Sequence, residues 1–589
     1  MNFSLLKLFV ALCALVPAIP EGLAQAVDQT PLVNTPGVLP VFVGVTRANT
    51  PIPAYITGDD LDIHIKKTRV LIVAGLDGDT STSKAAINVM RRFYSEAEFE
   101  RLREMVSLSI VPCGNPDGQA KGLRHDNGEG GDPSRGYPPT GAAYLHPTNP
   151  ESQYLWRWVG MHAPDIVVEF VSQTDLKKVE AEFVSPTAND CLAKQLPIIA
   201  PCQVGNIPAY TLAIPAGNVT PFAQFTDDLL AEVNSPSFER DNVDFSKARR
   251  ELQARDQRTA IEIGKQLASV YGHELSSVAY IPAVACIGRL RLAELTGDKR
   301  VLPEMQQLTA EYYSGAKPTL TDHSGGSEIA GHILWSEMKT ATGDAAYVKL
   351  AQQAADRAFS SDGQLLEAMP THNEMSDAVF MGCPILAQVG SMTGESKYFE
   401  MCLRHMRFML KLNLRSDGLH RHSPLDEAAW GRGNGFPALG LALSLDAFPQ
   451  EHPGRMEMLD AFRQHMKALL AHQDVTGAWH QVIDHPESYR ELTATSMITF
   501  AMLRGIRNGW LPREEFQPAV ERGWKAVKAR VAADGSLVDV CTGTGKQKSL
   551  RDYLDRTAIL GKDSRGGAMA LLLATEIASW EIEQTATHR

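Results

Sequence analysis

The chain has 589 residues, room for up to four domains of about 150 residues each, and its 44% apolar and 21% charged content is ordinary for a folded protein. Gly (46) and Pro (34) are too few for a fibrous or low-complexity chain, and a net charge of −12 without a basic stripe excludes an electrostatic grip on nucleic acid or anionic membrane. An acidic surface also repels polyanions at long range, so an anionic ligand has to be short or held by local cations.

Leu5 to Ile19 is an apolar run broken by Lys7 and Pro17, shorter than a membrane span requires. Pro20-Glu21-Gly22 and then Ala24-Gln25-Ala26 follow, the small-x-small pattern that signal peptidase cuts. A signal peptide over residues 1–26 is expected, with a buried N-terminal helix as the alternative. Cleavage after Ala26 leaves a periplasmic or secreted protein with no membrane association. Seven cysteines remain, without a CxxC or zinc-ribbon spacing, and an odd count leaves at least one unpaired. Cys191 and Cys202 are near enough to close a small loop; the others mostly sit on apolar stretches and are expected to pack as small hydrophobes.

Residues 27–240 read as an α/β domain. Val70–Ala74, Ser107–Val111 and Ile166–Val168 are short β-branched runs, and Ser83 to Phe93 is one of the amphipathic helical stretches between them. The segment 219–244 is a plausible junction. From 246 to 589 the spacing is almost wholly helical. Asp362-Gly363, Asp417-Gly418, Thr476-Gly477 and Asp534-Gly535 recur there, with a second series, Thr296-Gly297-Asp298, Thr342-Gly343-Asp344 and Thr393-Gly394-Glu395, out of phase. Each suits a helix ending at a left-handed glycine. The stretch has room for about six helical hairpins. The expected architecture is therefore multidomain: an all-α (α/α)6 barrel preceded by an α/β domain, with an open helical solenoid as the alternative for the second half.

The chemistry concentrates after the turns. Leu419-His-Arg-His-Ser-Pro-Leu-Asp-Glu427 runs into Ala428-Ala-Trp-Gly-Arg-Gly-Asn-Gly-Phe436, a dense cluster of histidines, carboxylates, arginines, aromatics and glycines. Glycines admit a backbone close to a ligand, Trp430 and Phe436 can stack on a sugar, and Arg432 can fork onto a carboxylate. The alternative is a packing turn with Arg432 in a salt bridge. Asp377 opens an apolar stretch, so it is either a helix N-cap or a carboxylic acid held protonated among apolar side chains.

Asp377-Ala-Val-Phe-Met-Gly-Cys-Pro, Trp430-Gly-Arg-Gly-Asn-Gly, Trp479-His-Gln-Val, Glu491-Leu-Thr-Ala-Thr-Ser and Val540-Cys-Thr-Gly-Thr-Gly545 occur in that order. Over about 270 to 575 the chain resembles the unsaturated rhamnogalacturonyl and glucuronyl hydrolases of glycoside hydrolase families 105 and 88. The resemblance implies an (α/α)6 barrel that hydrates the C4=C5 bond of a 4,5-unsaturated uronic acid at the end of a lyase-generated oligosaccharide. It implies no cofactor and no metal, and a small oligosaccharide as the partner. By the same resemblance Asp377 is the catalytic acid and base, and His422, Trp430, Arg432, Phe436, Trp479, His480 and Glu328 bind substrate. The sequence departs from the family pattern at Phe436 and Met375, where tryptophans are usual. It also departs at the second active-site aspartate, for which Gly325-Gly-Ser-Glu-Ile-Ala-Gly331 offers only Glu328. These departures keep open a non-catalytic carbohydrate-binding protein built from decayed enzyme domains.

The first half resembles the zinc carboxypeptidase and desuccinylase-like group through Ala74-Gly-Leu-Asp-Gly-Asp-Thr80, Asn115-Pro-Asp-Gly118, Arg124, Asp132-Pro-Ser-Arg135 and Pro164–Ser172. The positions of the three metal ligands hold Asp77, Thr80 and Val171. Zinc needs about three protein ligands, and valine supplies none. The resemblance therefore implies the fold without the metal, with Arg124 and Arg135 left as possible carboxylate holders.

Overall fold

The computed structural model describes residue 32 and residues 35–138, 148–173, 182–186, 188–215 and 245–587. The expected signal segment over 1–26 and the whole of the 219–244 junction lie outside the described residues. Two compact units emerge, one running to Ala254, the other from Arg255 to Pro486 and from Arg490 onward.

The first unit is built on a seven-stranded mixed sheet. It contains β1 (Val38–Val45), β2 (Pro51–Thr57), β3 (Thr68–Val73), β4 (Val106–Val111), β5 (Ile166–Gln173), β6 (Glu182–Val184) and β7 (Ala209–Pro215), in the order β1-β2-β4-β3-β5-β7-β6. The centre, β4-β3-β5-β7, is parallel, and both edges are antiparallel. Every residue of β3 and β4 is buried, and the polar ones among them find partners: Arg69 donates to the Asp60 carbonyl (2.8 Å), Ser107 to the Asp60 carboxylate (3.1 Å) and Ser109 to the Val70 carbonyl (3.3 Å). Helix α1 (Thr80–Ser95) joins them and is capped by the Asp79 carboxylate on the Ser81 N–H. Helix α2 (Lys247–Gln257) carries Arg249, fully buried, whose guanidinium donates to the Ile63 and Lys67 carbonyls and to Asp165. These bonds tie the start of the helical sequence to the first unit, so the second unit begins at Arg255, after the change of periodicity at 246.

The second unit is helical. In chain order it contains α3 (Ala260–Ala268), α4 (Tyr280–Thr296), α5 (Val301–Tyr313), α6 (Gly326–Gly331), α7 (Ile333–Thr342), α8 (Ala346–Ala355), α9 (Ala378–Thr393), α10 (Ser396–Asn413), α11 (Gly431–Ala447), α12 (Arg455–Leu470), α13 (Leu492–Arg507), α14 (Arg513–Arg530), the short pair β8 (Leu537–Cys541) and β9 (Ala558–Gly561) with α15 (Leu550–Leu554) between them, and α16 (Ser564–Thr587). Six inner elements close a ring: α4 packs on the α6–α7 pair, that pair on α9, α9 on α11, α11 on α13, α13 on α16, and α16 back on α4. The outer helices α3, α5, α8, α10, α12 and α14 each pack on an inner neighbour. A closed double ring, consistent with an (α/α)6 barrel, replaces the alternative of an open solenoid. Inner helices are buried nearly all round, as α11 is from Gly431 to Leu445.

The two series of glycines do different jobs. Gly297, Gly343 and Gly394 are left-handed C-caps of the inner helices α4, α7 and α9, as expected. The other series does not end helices. Gly363, Gly418, Gly477 and Gly535 (φ 78°, 84°, 89° and 77°) sit in tight turns in which the N–H of Ser360, Arg415, Asp474 and Ala532 bonds the carbonyl of Gln364, Leu419, Ala478 and Ser536. Each turn leads from an outer helix towards the next inner one. An aspartate two residues before the acceptor shapes two of them, Asp417 taking the Leu419 N–H and Asp534 the Ser536 N–H. A Cβ on Gly418 would lie 3.0 Å from Ala468 of α12, and one on Gly535 2.7 Å from Val270 just past α3. Each of these two tips thus rests beside the next outer helix.

Candidate active site

The N-terminal ends of the inner helices gather the chemistry. Asp377 immediately precedes α9, and its carbonyl accepts the Phe380 and Met381 N–H groups. Asp377 thus holds the N-cap position of α9, but its carboxyl makes no capping bond. Its Oδ1 is buried without a hydrogen-bond partner, 3.4 Å from Nε2 of His422, itself buried and likewise without a hydrogen-bond partner. Two apposed polar atoms left unsatisfied in a buried site are costly unless they serve a third group.

His422 arrives on the segment that follows Gly418. That segment is held by Asn434, whose Oδ1 accepts the His420 N–H (2.8 Å) and whose Nδ2 donates to the His420 and Trp430 carbonyls (2.8 and 3.0 Å). Ser376 closes the opposite side: its N–H bonds the His422 carbonyl (2.9 Å) and its hydroxyl the Gly433 carbonyl (2.6 Å). Arg432 is buried, with its guanidinium donating to the Cys541 and Thr542 carbonyls, the latter at 2.7 Å, and lying 4.7 Å over the Trp430 ring. Glu491 fixes those carbonyls from below, taking the Cys541 N–H on Oε1 (2.9 Å) and the Ala494 N–H on Oε2 (2.5 Å).

The structure brings Asp377, His422, Trp430, Arg432 and Phe436 together, but not in every expected role. Trp430 (1% exposed) and Phe436 (2%) are walls and not open sugar platforms. The first backs His422 at 4.4 Å, and the second packs on Phe380 at 5.5 Å and Tyr280 at 5.6 Å. Three other expected binding residues are engaged elsewhere. Trp479 is fully buried and donates its indole N–H to the Leu469 carbonyl. His480 meets Asp474, which also holds Arg490; burial pushes the Asp474 carboxyl up, but Arg490 and His480 outweigh it and hold it well below the usual range. Glu328 bonds the Gly325 N–H at the start of α6, one half of a capping box. In each case a nearer backbone or charged partner takes the polar group.

Tyr280 and Tyr553 were missed. Tyr280 opens α4 and is half-buried between Phe380 and Phe436; burial pushes its phenol up to about 12, with Arg432 drawing it down and Asp377 pushing it up. Its aromatic character lay in an unremarkable Ala-Tyr-Ile run, and only the closing of the ring brings it to Asp377. Tyr553 contacts Nδ1 of His422 at 2.9 Å across 131 residues. Other carboxylates at this end are occupied: Glu374 by Lys546 (3.0 Å), Asp563 by Arg565 (2.6 Å) and Asp426 by the Ala428 N–H (2.8 Å).

In the first unit, Asp77 accepts from Ser172 (2.8 Å) and Arg124 (3.0 Å), Thr80 opens α1, and Val171 lies on β5. One carboxylate already ion-paired, one helix-terminal hydroxyl and a valine do not fit a zinc ion. The seven cysteines described, Cys191 and Cys202 among them, are buried, and no two of them form a disulfide. Among the described residues no helix is long and apolar enough to cross a membrane.

Residues 257–580, more than half of the chain, match the model of Glycosyl Hydrolase Family 88. The chain belongs to Glycosyl Hydrolase Family 88. It is 30% identical over 176 residues to an unsaturated 3S-rhamnoglycuronyl hydrolase of Alteromonas sp. (strain LOR), a match covering 28% of this chain and 42% of that protein. It is 27% identical over 244 residues to an unsaturated rhamnogalacturonyl hydrolase of Bacillus subtilis (strain 168), covering 38% and 68%. The chain thus spans less than half the length of the first of these relatives. A solved family 105 glycoside hydrolase of C. acetobutylicum aligns over 55% of this chain and all of its own, at 20% identity and a TM-score of 0.48.

Proposed function

We propose that this family 88 member is an exported glycoside hydrolase that removes a 4,5-unsaturated uronic acid, galacturonyl or glucuronyl, from the non-reducing end of lyase-generated oligosaccharides. The observation that carries this reading is the buried Asp377 carboxyl, free of any capping bond and facing His422 at 3.4 Å. Hydrating an enol ether needs an acid to protonate C4 and a base to take a proton from the water that attacks C5. One carboxyl acts in both steps, because the acid becomes the base once its proton has gone. The hemiketal formed at C5 then opens and frees the rest of the chain. The separation rule for paired glycosidase carboxylates does not apply to such a route, so Glu328, held at its helix start, is not required as a second acid. Inner-helix N-termini and Arg432 supply positive potential for the uronate carboxylate, which suits short anionic ends on an otherwise acidic protein. The same reading makes residues 1–26 an export signal and the first unit a carboxypeptidase-like scaffold that has lost its metal site, on the strength of their sequence motifs.

The test is optical. Wild-type protein is expected to abolish the near-ultraviolet absorbance of unsaturated disaccharides, and Asp377→Asn to leave it intact while folding normally by circular dichroism. A folded wild type that leaves the absorbance of pectic, ulvan-type and glycosaminoglycan-type products unchanged refutes the proposal.

A further inference from the structure

Tyr553 lies on α15, fully buried, in none of the motifs that carry the family resemblance. Its phenolic oxygen receives the backbone N–H of Gln547 (3.2 Å) and stands 2.9 Å from Nδ1 of His422. An amide N–H only donates, so it consumes one lone pair of the phenol and leaves the phenolic proton in need of an acceptor. Nδ1 of His422 is the other polar atom that the phenol meets. If Nδ1 carried its own proton, both hydrogens would crowd that contact and the phenolic one would be stranded in a buried site, at the cost of an unmade hydrogen bond. Nδ1 is therefore the acceptor, and a singly protonated His422 carries its hydrogen on Nε2. That nitrogen faces Oδ1 of Asp377 at 3.4 Å, and both atoms are buried with no hydrogen-bond partner of their own.

We propose that Tyr553 is a positioning residue that fixes His422 as its Nε2–H tautomer, which commits Oδ1 of Asp377 to accepting and leaves proton traffic to Oδ2. The inference rests on the reaction proposed above. In the first step the Oδ2–H bond breaks, its proton forms the new C4–H bond with the electrons of the double bond, and C5 becomes the oxocarbenium carbon. In the second, water oxygen bonds C5 and one water proton returns to Oδ2, so the aspartate is restored and one water is added. His422 keeps a single proton on Nε2 throughout. It keeps Oδ1 in place while Oδ2 loses and regains its proton, which is the service a third group renders to an acid–base pair.

The experiment combines nitrogen-15 NMR of histidine-labelled protein with steady-state kinetics on wild type and Tyr553→Phe, which keeps the buried ring. Wild-type His422 is expected to be protonated at Nε2. In Tyr553→Phe the two tautomers should mix, and kcat should fall by about tenfold, the worth of one net hydrogen bond, at unchanged KM. Gln547→Pro, which deletes the N–H that orients the phenol, should also mix the tautomers if Tyr553→Phe folds poorly. A wild-type His422 protonated at Nδ1, or a Tyr553→Phe enzyme with wild-type kcat and tautomer, overturns the inference. The tautomer is read without turnover, so a wild type inactive on every unsaturated sugar refutes the proposed reaction separately from this assignment.

Discussion

Gly433 is where the site's geometry is most exposed to a single methyl group. A Cβ there would stand 3.0 Å from Oγ of Ser376, 3.2 Å from Cδ2 of His422 and 3.3 Å from Cε3 of Trp430. All three neighbours are buried, and each is held elsewhere: the Ser376 hydroxyl by the Gly433 carbonyl, the His422 ring by Tyr553, and the Trp430 ring by packing between His422 (4.4 Å) and the Arg432 guanidinium (4.7 Å). None can give the few tenths of an ångström required without moving another member of the site. Overpacking of this kind costs about 1–3 kcal/mol. Position 433 lies in the first turn of α11, where alanine is better than glycine by roughly 0.5–1 kcal/mol. The net expectation for Gly433→Ala is a stability loss of about 0–2.5 kcal/mol. Its effect on kcat should be larger, since the displaced group is His422 and its 3.4 Å approach to Asp377 is what must lengthen. Urea unfolding and the loss of unsaturated-sugar absorbance measure the two effects on one preparation. A variant about 1 kcal/mol more stable than wild type with full kcat would show that helix propensity alone governs this position, and would refute the close-approach reasoning.

Three further outcomes follow from buried groups. Burial raises the Glu169 carboxyl to about 7, and Asp77 adds to the rise, although the Ala193 N–H bond opposes it. The folded state then binds a proton that the unfolded state releases above its own lower pKa, so stability is full below about pH 4.5 and declines up to about pH 7. Glu169→Gln should match wild type in denaturant titrations at pH 5 to within about 1 kcal/mol and exceed it by about 3 kcal/mol at pH 8; equal stability at pH 8 counts against the buried carboxylate. His405 runs the opposite way: burial holds it at about 4, with Nε2 on the Ala378 carbonyl (2.8 Å) and Nδ1 accepting the Met369 N–H (3.2 Å). Its stabilisation is present above about pH 6.5 and lost on acidification through about pH 4, up to about 3 kcal/mol, and His405→Gln should remove that part of the acid slope. Glu491→Gln sets an amide NH2 against either the Cys541 or the Ala494 N–H; a loss of about 1–3 kcal/mol is expected, with a raised KM because the carbonyls that anchor Arg432 shift. An unchanged KM would detach Glu491 from Arg432.

The sequence carried the fold wherever periodicity and turn chemistry were local. Val70–Val73 read as a buried strand because a central parallel strand is apolar on both faces, and Ser107–Val111 because Leu108, Ile110 and Val111 carry the apolar pattern past two buried, hydrogen-bonded serines. Gly297, Gly343 and Gly394 marked helix ends because only glycine takes the left-handed cap cheaply. The Gly418 series was misread as caps, since a left-handed glycine ends a helix or turns a hairpin equally well and only the bonds across the turn distinguish them. β1 and β2 escaped notice because prolines and a glycine interrupt their alternation. In the candidate site, motif order picked out Asp377, His422 and Arg432, which the fold brings to one place. What Trp479, His480 and Glu328 do was not, because Leu469, Asp474 and Gly325 claim them through contacts that residue type alone does not reveal.

The absence of a second matched aspartate therefore bears differently on the chemistry than it first suggests. A retaining or inverting glycosidase with one carboxylate would be disabled, because two distinct groups must act on opposite sides of the anomeric carbon. Hydration of an enol ether asks for a proton and then for its return, and a single carboxyl held against a tautomer-fixed imidazole can meet both demands in turn. The features around Asp377 bear on that one group: Ser376 and Asn434 set where His422 stands, Gly433 sets how near, and Glu491 holds the strand on which Arg432 leans. If the reaction ran through two carboxylates, Glu328 would have to leave its bond to the Gly325 N–H and open the first turn of α6 to take part. Glu328→Gln keeps an oxygen for that cap, so it separates the two routes: about wild-type kcat is expected if Asp377 acts alone, and a loss of the 10²–10⁴-fold that a general acid or base typically contributes if it does not.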